Sequence, residues 1–183
     1  MLPEIIEAER FRLRPYQPGD VDVVFDYARD EAWLRYLPIP SPYTRADAES
    51  FLAAQAALDR QLNPSWAIEV EGAAAGGINI RFFADHRVSE LGYAVSRALW
   101  GRGFATEAAR LVIAAAFDGY PQLNRVRATA DARNAASIRV LEKLGMTREG
   151  LLREDRLLRD ELTDHVVYGV LRREWRWPAL GRR

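Results

Sequence analysis

Apolar and polar residues alternate strictly along Arg10-Phe11-Arg12-Leu13-Arg14, a two-residue period that predicts a strand stopped by Pro15 and Pro18. The period then lengthens. Val21, Val24, Phe25 and Ala28 recur at three- and four-residue steps behind Asp20, which predicts a capped helix. The aromatic stretch from Trp33 to Tyr43 breaks the pattern, because Pro38, Pro40 and Pro42 forbid regular helix. Thr44 caps a second helix, with Phe51, Ala54, Leu58 and Leu62 on one face. Trp66–Val70 and Gly77–Phe83 read as the two strands of a hairpin, and Leu91–Val95 as a fourth strand. From Phe104 a helix carries its apolar stripe on Phe104, Ala108, Leu111, Val112, Ala115 and Ala116. Arg125–Ala130 alternates as a fifth strand. Ala135–Leu144 reads as a short helix with Ile138, Leu141 and Leu144 inward and Gly145 at its C-terminal cap. Met146–Arg153 and Thr163–Leu171 are the closing strands, joined by a charged run, Glu154 to Glu161, read as a solvated hairpin end. This order of elements predicts a mixed sheet in an α/β class. The tail from Arg172 to Arg183 must pack Trp175 and Trp177 against the body or a partner.

Composition narrows the function classes. At 183 residues, roughly half of them apolar and spread along the whole length, the chain is expected to form one domain, residues 1–183. No apolar run approaches the roughly 20 residues that cross a bilayer, and Met-Leu-Pro-Glu lacks a signal peptide's basic start and apolar core. A cytoplasmic protein is the expectation. A formal charge of zero argues against nucleic-acid binding as the main activity. The absence of cysteine rules out a disulfide framework, a thiolate metal site and a Cys acyl-enzyme. Two histidines, His86 and His165, are too few to suggest a His-based metal site.

The stretch Glu90 to Ala109, ELGYAVSRALWGRGFATEAA, carries the clearest chemistry. A strand feeds a tight turn with Gly101 and Gly103, and the turn opens a helix. Such a turn aims several unpaired backbone N–H groups at one spot, reinforced by the helix dipole. Glycine lets a ligand come within hydrogen-bonding distance of the backbone, so anion binding is implied, phosphate first. Two common phosphate motifs fail on named residues. A dinucleotide fingerprint wants Gly or Ala where Thr106 stands, and an acidic residue about 20 positions on, where the chain reads Pro121-Gln122-Leu123. A nucleotide P-loop needs Gly-Lys before Ser or Thr, and Lys143 is the only lysine.

Trp100-Gly101-Arg102-Gly103-Phe104-Ala105 resembles the pyrophosphate loop of the GNAT N-acetyltransferases, Gln/Arg-x-x-Gly-x-Gly/Ala. Trp100 departs from the first position. That departure is similar to the ribosomal-protein-alanine N-acetyltransferase-like branch, whose usual form is Trp-Gly-x-Gly-Phe/Tyr-Ala-Thr-Glu-Ala. The Arg-Leu-Arg opening, Tyr43-Thr44-x-x-Asp47-Ala48 and Asn134-x-x-Ser137-x-x-x-Leu141-x-Lys143-Leu144-Gly145 extend the resemblance over nearly the whole chain. It implies a single-domain fold with a mixed, mostly antiparallel sheet, flanking helices and splayed central strands. It also implies that the pantetheine arm of acetyl-CoA lies between strands four and five. The reaction implied is direct acetyl transfer to a primary amine, on a peptide or a small molecule, without a metal.

Under that resemblance Arg102, Gly103, Phe104, Ala105 and Thr106 hold the pyrophosphate, mostly through backbone N–H groups. Tyr93 and Val95 offer backbone groups to the pantetheine amides, with side chains that are core or cleft wall. Asn134 binds the cofactor arm, caps its helix, or does both. Ser137, one turn further, gives a proton or a hydrogen bond to the leaving thiolate, unless it only bonds the helix backbone. Glu90 is the candidate base for the acceptor amine, against the plainer reading of a solvated strand-end carboxylate. Glu107 orders the loop by hydrogen bonding, and Asp164 and Tyr168 are assigned to structure. Trp33, Tyr36, Tyr43 and Trp66 are expected to wall the acceptor site. The Trp-rich tail beside a basic terminus suggests a homodimer. Two other readings stay open, an acyl-CoA-binding sensor with little catalysis and an interaction protein using the aromatic segments.

Overall fold

A computed structural model describes residues 1–83 and 85–177. The opening alternation forms one short strand, β2 (Arg12–Arg14), and it pairs antiparallel with a strand ahead of it that the pattern does not predict, β1 (Ile6–Glu7), Ile6 opposite Leu13. Helix α1 (Val21–Ala28) follows a 3-10 turn. Asp20 does not cap it. Burial places its carboxylate against Arg14, whose Nη1 and Nη2 each donate at 2.8 Å, and it also accepts from the Gln17 N–H. The Arg14 Nε donates to Glu69 as well, so one buried guanidinium ties β2 to the start of α1 and to the next strand. Desolvation opposes the charged form of Asp20, but Arg14 and the Gln17 N–H outweigh it and hold its carboxyl below the usual range. Arg14 does the same to Glu69.

A four-residue helix, α2 (Glu31–Leu34), precedes the prolines and was not visible as a period. Asp30 caps it by accepting from the N–H groups of Ala32 and Trp33. Helix α3 (Arg45–Ala56) begins at Thr44 with a reciprocal Thr44–Asp47 cap. Its buried face is Ala48 and Leu52, flanked by Phe51. The helix stops at Ala56, so Leu58 and Leu62 never join the stripe, and Leu62 is exposed. β3 (Ser65–Val70) and β4 (Ala73–Phe83) form the expected hairpin around Glu71-Gly72, both at positive φ.

The remaining elements are β5 (Val88–Val95), α4 (Phe104–Gly119), β6 (Arg125–Asp131), α5 (Ala135–Lys143), β7 (Thr147–Leu158) and β8 (Glu161–Leu171). The charged run Glu154–Glu161 is therefore mostly strand, turning only at Arg159-Asp160. β7 is the sheet edge and buries none of its residues, so charge is solvated there without a loop. The sheet order is β1-β2-β3-β4-β5-β6-β8-β7. Its main core joins Trp66, Ile78, Ile80, Leu91, Val126 and Val166 to Phe104, Ala108, Val112 and Ile113 of α4. A second cluster joins α1, α2 and α3 through Val24, Ala28, Leu34, Ala48 and Leu52. Trp175 packs on Phe117, ring centroids 6.0 Å apart, so that part of the tail docks on its own body. The guanidinium of Arg110 lies 4.7 Å over Trp177, and the last six positions of the expected tail lie outside the described residues.

Candidate active site

Among the described residues β5 and β6 are the one parallel pair, and they touch only at Val88, Ser89 and Glu90 opposite Arg125, Val126 and Arg127. Beyond that point β5 stays on β4 to Val95 and β6 stays on β8 to Asp131, so the two strands part and leave a gap. Each leads into a helix, α4 or α5. Parallel strands that diverge at their C-terminal ends form a ligand crevice. The ladder fixes which backbone groups face it. Ile80 and Phe82 donate to Pro64 and Leu62 on the far side of β4, and Ile80 and Phe82 lie opposite Leu91 and Ser89. Partners in a non-bonded antiparallel pair both turn their N–H and C=O groups outward. Leu91 is still engaged at the Glu90–Arg127 pairing, so Tyr93 and Val95 are the residues that present theirs to the gap.

The glycine turn closes one end. Gly101 (φ +71°) and Gly103 (φ +85°) are left-handed, and Gly103 is the residue before the first turn of α4. The first intrahelical donor is Glu107, bonding to Gly103, so the N–H groups of Phe104, Ala105 and Thr106 precede the helix ladder. A Cβ built on Gly101 would meet nothing within 4 Å, and one on Gly103 only Arg10 Nη2 at 3.8 Å. Glycine thus serves the backbone conformation, since space alone would admit a side chain at either position. Trp100 pins the turn to the strand end, because its indole N–H donates to Val95 O at 2.9 Å. Arg10 latches the turn from β2's side. It donates to Arg102 O at 3.1 Å, pairs with Glu107 and lies 4.5 Å over the Phe104 ring. Neither periodicity nor motif signals this role for Arg10. The Arg102 guanidinium folds back over Phe104 toward Ala98 O, while the backbone N–H donates to Leu99 O and the C=O accepts from Arg10. Arg102 therefore shapes the turn and, contrary to expectation, does not line the cavity that runs from it.

A cavity of about 360 Å³ runs from this turn along the gap. Val95, Gly103, Phe104, Ala105, Thr106, Asn134, Tyr93 and Ser137 all line it, as do Trp33 and Tyr36. Asn134 caps α5 by accepting from the Ser137 N–H at 3.0 Å, which leaves its amide N–H₂ for the cavity. Tyr93 reaches across the gap, its hydroxyl 3.0 Å from Ser137 Oγ and 3.2 Å from Ser137 O. Desolvation pushes the Tyr93 phenol up to about 12, against the Ser137 hydrogen bond, so at neutral pH it is a donor. Ala136, Val140 and Lys143 also line the cavity. Their four- and three-residue spacing is a second stripe on α5, beside the inward one of Ile138, Leu141 and Leu144.

The α2 segment roofs the cavity with Ala32, Trp33, Tyr36 and Leu37. Three distant ties hold it. Asp30 pairs with Arg97, the Tyr36 hydroxyl donates to Arg133 O at 3.3 Å, and Arg159 at the β7–β8 turn donates to the carbonyls of Leu34, Arg35 and Leu37. The other two aromatic candidates lie elsewhere. Trp66 is fully buried in the main core, its indole donating to Pro3 O and Glu4 O, because it sits on the core-facing side of β3. Tyr43 is buried in the α1–α3 cluster, just before the Thr44 cap. Neither lines the cavity.

Glu90 stands at the point where β5 and β6 part, on the face opposite Leu91. It does not line the cavity. Its Oε2 accepts from Arg127 Nε at 3.1 Å and Nη2 at 2.9 Å, with Arg81 at 4.0 Å. Asp164 accepts from the Glu154 N–H, and Tyr168 is buried in the core. No cluster of three or more His, Cys, Asp or Glu side chains suited to a metal occurs among the described residues.

The site can therefore hold an anion at the α4 turn, an extended arm along a strand edge, and a reacting group near the Tyr93 and Ser137 hydroxyls, with the Glu90 carboxylate outside the cavity. Residues 10–147 match the acetyltransferase (GNAT) domain. The chain is similar to the uncharacterised N-acetyltransferase p20 of Bacillus licheniformis, 32% identical over 180 residues, covering 94% of this chain and 98% of that protein. It is also similar to the crystal structure of a GNAT-family acetyltransferase from Bacillus anthracis (TM-score 0.82, 26% identity, 93% and 99% of the two chains). Mycobacterium smegmatis RimJ, solved in complex with CoA-disulfide, shares the fold at TM-score 0.80 and 24% identity over 90% and 83%.

Proposed function

We propose, on the premise that this chain belongs to the GNAT acetyltransferase family, that it moves the acetyl group of acetyl-CoA to a primary amine by direct attack, with both substrates held at the β5–β6 fork. The observation that carries this is the fork itself: a strand edge with outward backbone groups, leading to a left-handed glycine turn and a helix N-terminus. Acetyl-CoA fits on the same grounds, because phosphates meet the Phe104–Thr106 donors where the cavity begins at the glycine turn. Tyr93 and Val95 supply the edge for pantetheine amides, although the Val95 carbonyl also accepts from Trp100. Bound acetyl-CoA supplies an activated thioester.

The chain's own residues do the rest. Holding amine and thioester together in one gap removes much of the entropic barrier. Deprotonating the amine at pH 7 costs about 1.4 kcal/mol for an α-amine of pKa ~8 and roughly 4.6 kcal/mol for a lysine-like amine of pKa ~10.4. Glu90 is the carboxylate nearest the fork, and it receives that proton directly or through water. Arg127 orients it. Trp33 and Tyr36 contact the acceptor from the roof. We favour a protein N-terminal α-amine, the reading suggested by the Trp100 form of the loop and by the ribosomal-protein branch. The chain acts in the cytoplasm; no helix among the described residues is long and apolar enough to cross a membrane. A second copy pairs with the chain through the β7 edge, where Leu151, Leu152, Leu157 and Leu162 of the hairpin stand exposed.

Purified protein incubated with acetyl-CoA and a panel of peptides and small amines tests the proposal. Thioester consumption that depends on a primary amine is the expected result. CoA binding without turnover on any amine would replace it with a sensor, and no CoA binding would favour an interaction protein.

A further inference from the structure

Tyr93 and Ser137 come from β5 and α5, 44 residues apart, and meet across the gap inside the same cavity. A hydroxyl on Ser137 alone would rotate among three staggered positions. The Tyr93 oxygen removes that freedom, since it lies 3.0 Å from Oγ and 3.2 Å from the Ser137 carbonyl oxygen. A phenol has one hydrogen to give, and a serine hydroxyl one to give and two acceptor positions. With the phenol hydrogen given to Ser137 Oγ, the shorter of the two contacts, the serine hydrogen is free to point into the cavity. Tyr93 needs its hydroxyl for nothing else among the described residues.

We propose that Tyr93 is the positioning residue for Ser137, holding its hydroxyl in the orientation that donates a hydrogen bond to the sulfur leaving in acyl transfer. The inference rests on the acetyl-transfer reading above. The pair acts as a hydrogen-bond donor and keeps its protons. A thiol titrates near 8.5, and burial has pushed the Tyr93 phenol to about 12, so full transfer from phenol to thiolate is disfavoured by more than three orders of magnitude. A donated hydrogen bond stabilises the thiolate as charge develops and asks for no transfer. The sulfur then takes its proton from solvent: an S–H bond forms and an O–H bond of water breaks.

The chain has no cysteine, so in a CoA complex the only thiol is the ligand's own. The full-length protein is saturated with CoA and its thiolate absorbance is followed from about pH 6 to pH 10, with melting curves as a folding control. The charged groups that line the cavity, Arg139 and Lys143 of α5, and the roof phenol of Tyr36 are unchanged in every variant. Wild type should hold the bound thiol about tenfold more acidic than free CoA. Tyr93→Phe and Ser137→Ala should each abolish that shift, and the double variant should lose no more than either one, because both act through one hydroxyl. In turnover, Tyr93→Phe should lower kcat roughly tenfold at unchanged KM for acetyl-CoA. A Tyr93→Phe protein with the wild-type thiol titration would overturn the inference, as would additive losses in the double variant, which indicate mere bracing of α5. A wild type that binds CoA without shifting its thiol, or does not bind it, would overturn it too. A Tyr93-dependent shift with no acetylation of any amine would keep the pair and remove the transferase reading.

Discussion

Replacing Gly103 by valine tests whether the α4 turn is shaped for phosphate. Gly103 sits at φ +85°, ψ −2°, where an L-residue costs about 1–2 kcal/mol, and a β-branched one is the least tolerated. The chain can relieve that strain only by rotating the peptides that follow, which carry the N–H groups of Phe104, Ala105 and Thr106. The added Cβ also starts 3.8 Å from Arg10 Nη2, so the valine methyls press on the latch that joins Arg10 to Arg102 O and Glu107. Hydrogen bonds to charged groups are worth about 1.5–3 kcal/mol each. Misaiming one of them raises the dissociation constant of CoA or acetyl-CoA at least tenfold, since tenfold is about 1.4 kcal/mol. The strain itself lowers the melting temperature by roughly 2–8 °C in a chain of this length, so the protein stays folded at 25 °C. Titration calorimetry reads the affinity. Gly103→Asn is the matched control, because asparagine tolerates left-handed backbone and should bind more tightly than the valine variant. A folded Gly103→Val protein with wild-type affinity would refute the assignment of the turn to the cofactor's phosphates.

Three further outcomes are expected. Arg14→Met leaves Asp20 buried without its cation and Glu69 with Arg12 alone, and should cost roughly 3–5 kcal/mol at neutral pH. Both carboxyls are held below their unfolded values, so their contribution is present above the unfolded pKa and lost as pH falls through the folded one. The gap between wild type and variant in denaturant melts should therefore narrow below about pH 4, and a constant gap would refute the triad as its source. Glu90→Gln should lower kcat/KM about 10²-fold at neutral pH and recover much of it as the acceptor deprotonates in solution; a pH-independent deficit would reduce Glu90 to positioning. Light scattering at micromolar concentration should give twice the 20.8 kDa chain mass, and a monomer would exclude the β7 pairing.

What was legible in the sequence was local. The glycine turn and the α5 start at Asn134 depend on residues within a few positions and match the structure. α4 buries more than its expected stripe: Leu111 is only partly buried, whereas Ala109, Ile113, Ala114 and Phe117 are buried as well. Elements whose limits are set by distant partners were read less well. β7 runs on to Leu158 through a charged segment because β8 pairs with it, a contact that no local period reveals. α2 is held over the cavity by Arg97, Arg133 and Arg159, and a four-residue helix is too short to show a period of 3.6. Asp20 had the right type and place for a cap, but a buried arginine six residues earlier outcompetes two backbone N–H groups for its carboxylate.

The aromatic candidates show the same limit at the site. Trp33, Tyr36, Tyr43 and Trp66 are equivalent by composition, and which two face the cavity depends on register. Trp66 is opposite Ile78 in the β3–β4 ladder, and one residue's slip would have turned it to the other face of the sheet. Register also separates the two candidate chemistries. Glu90 and Tyr93 are an odd number of residues apart on one strand, so their side chains leave opposite faces. Tyr93 therefore meets Ser137 in the cavity, while Glu90 meets Arg127 outside it. In the proposed transfer the amine needs a proton acceptor and the departing sulfur a hydrogen-bond donor. Those roles fall to two groups on opposite faces of β5, Glu90 where β6 parts from it and Tyr93, through Ser137, three residues further on. It follows that Glu90→Gln and Tyr93→Phe should impair separate steps and combine additively in kcat/KM, whereas Tyr93→Phe and Ser137→Ala should not.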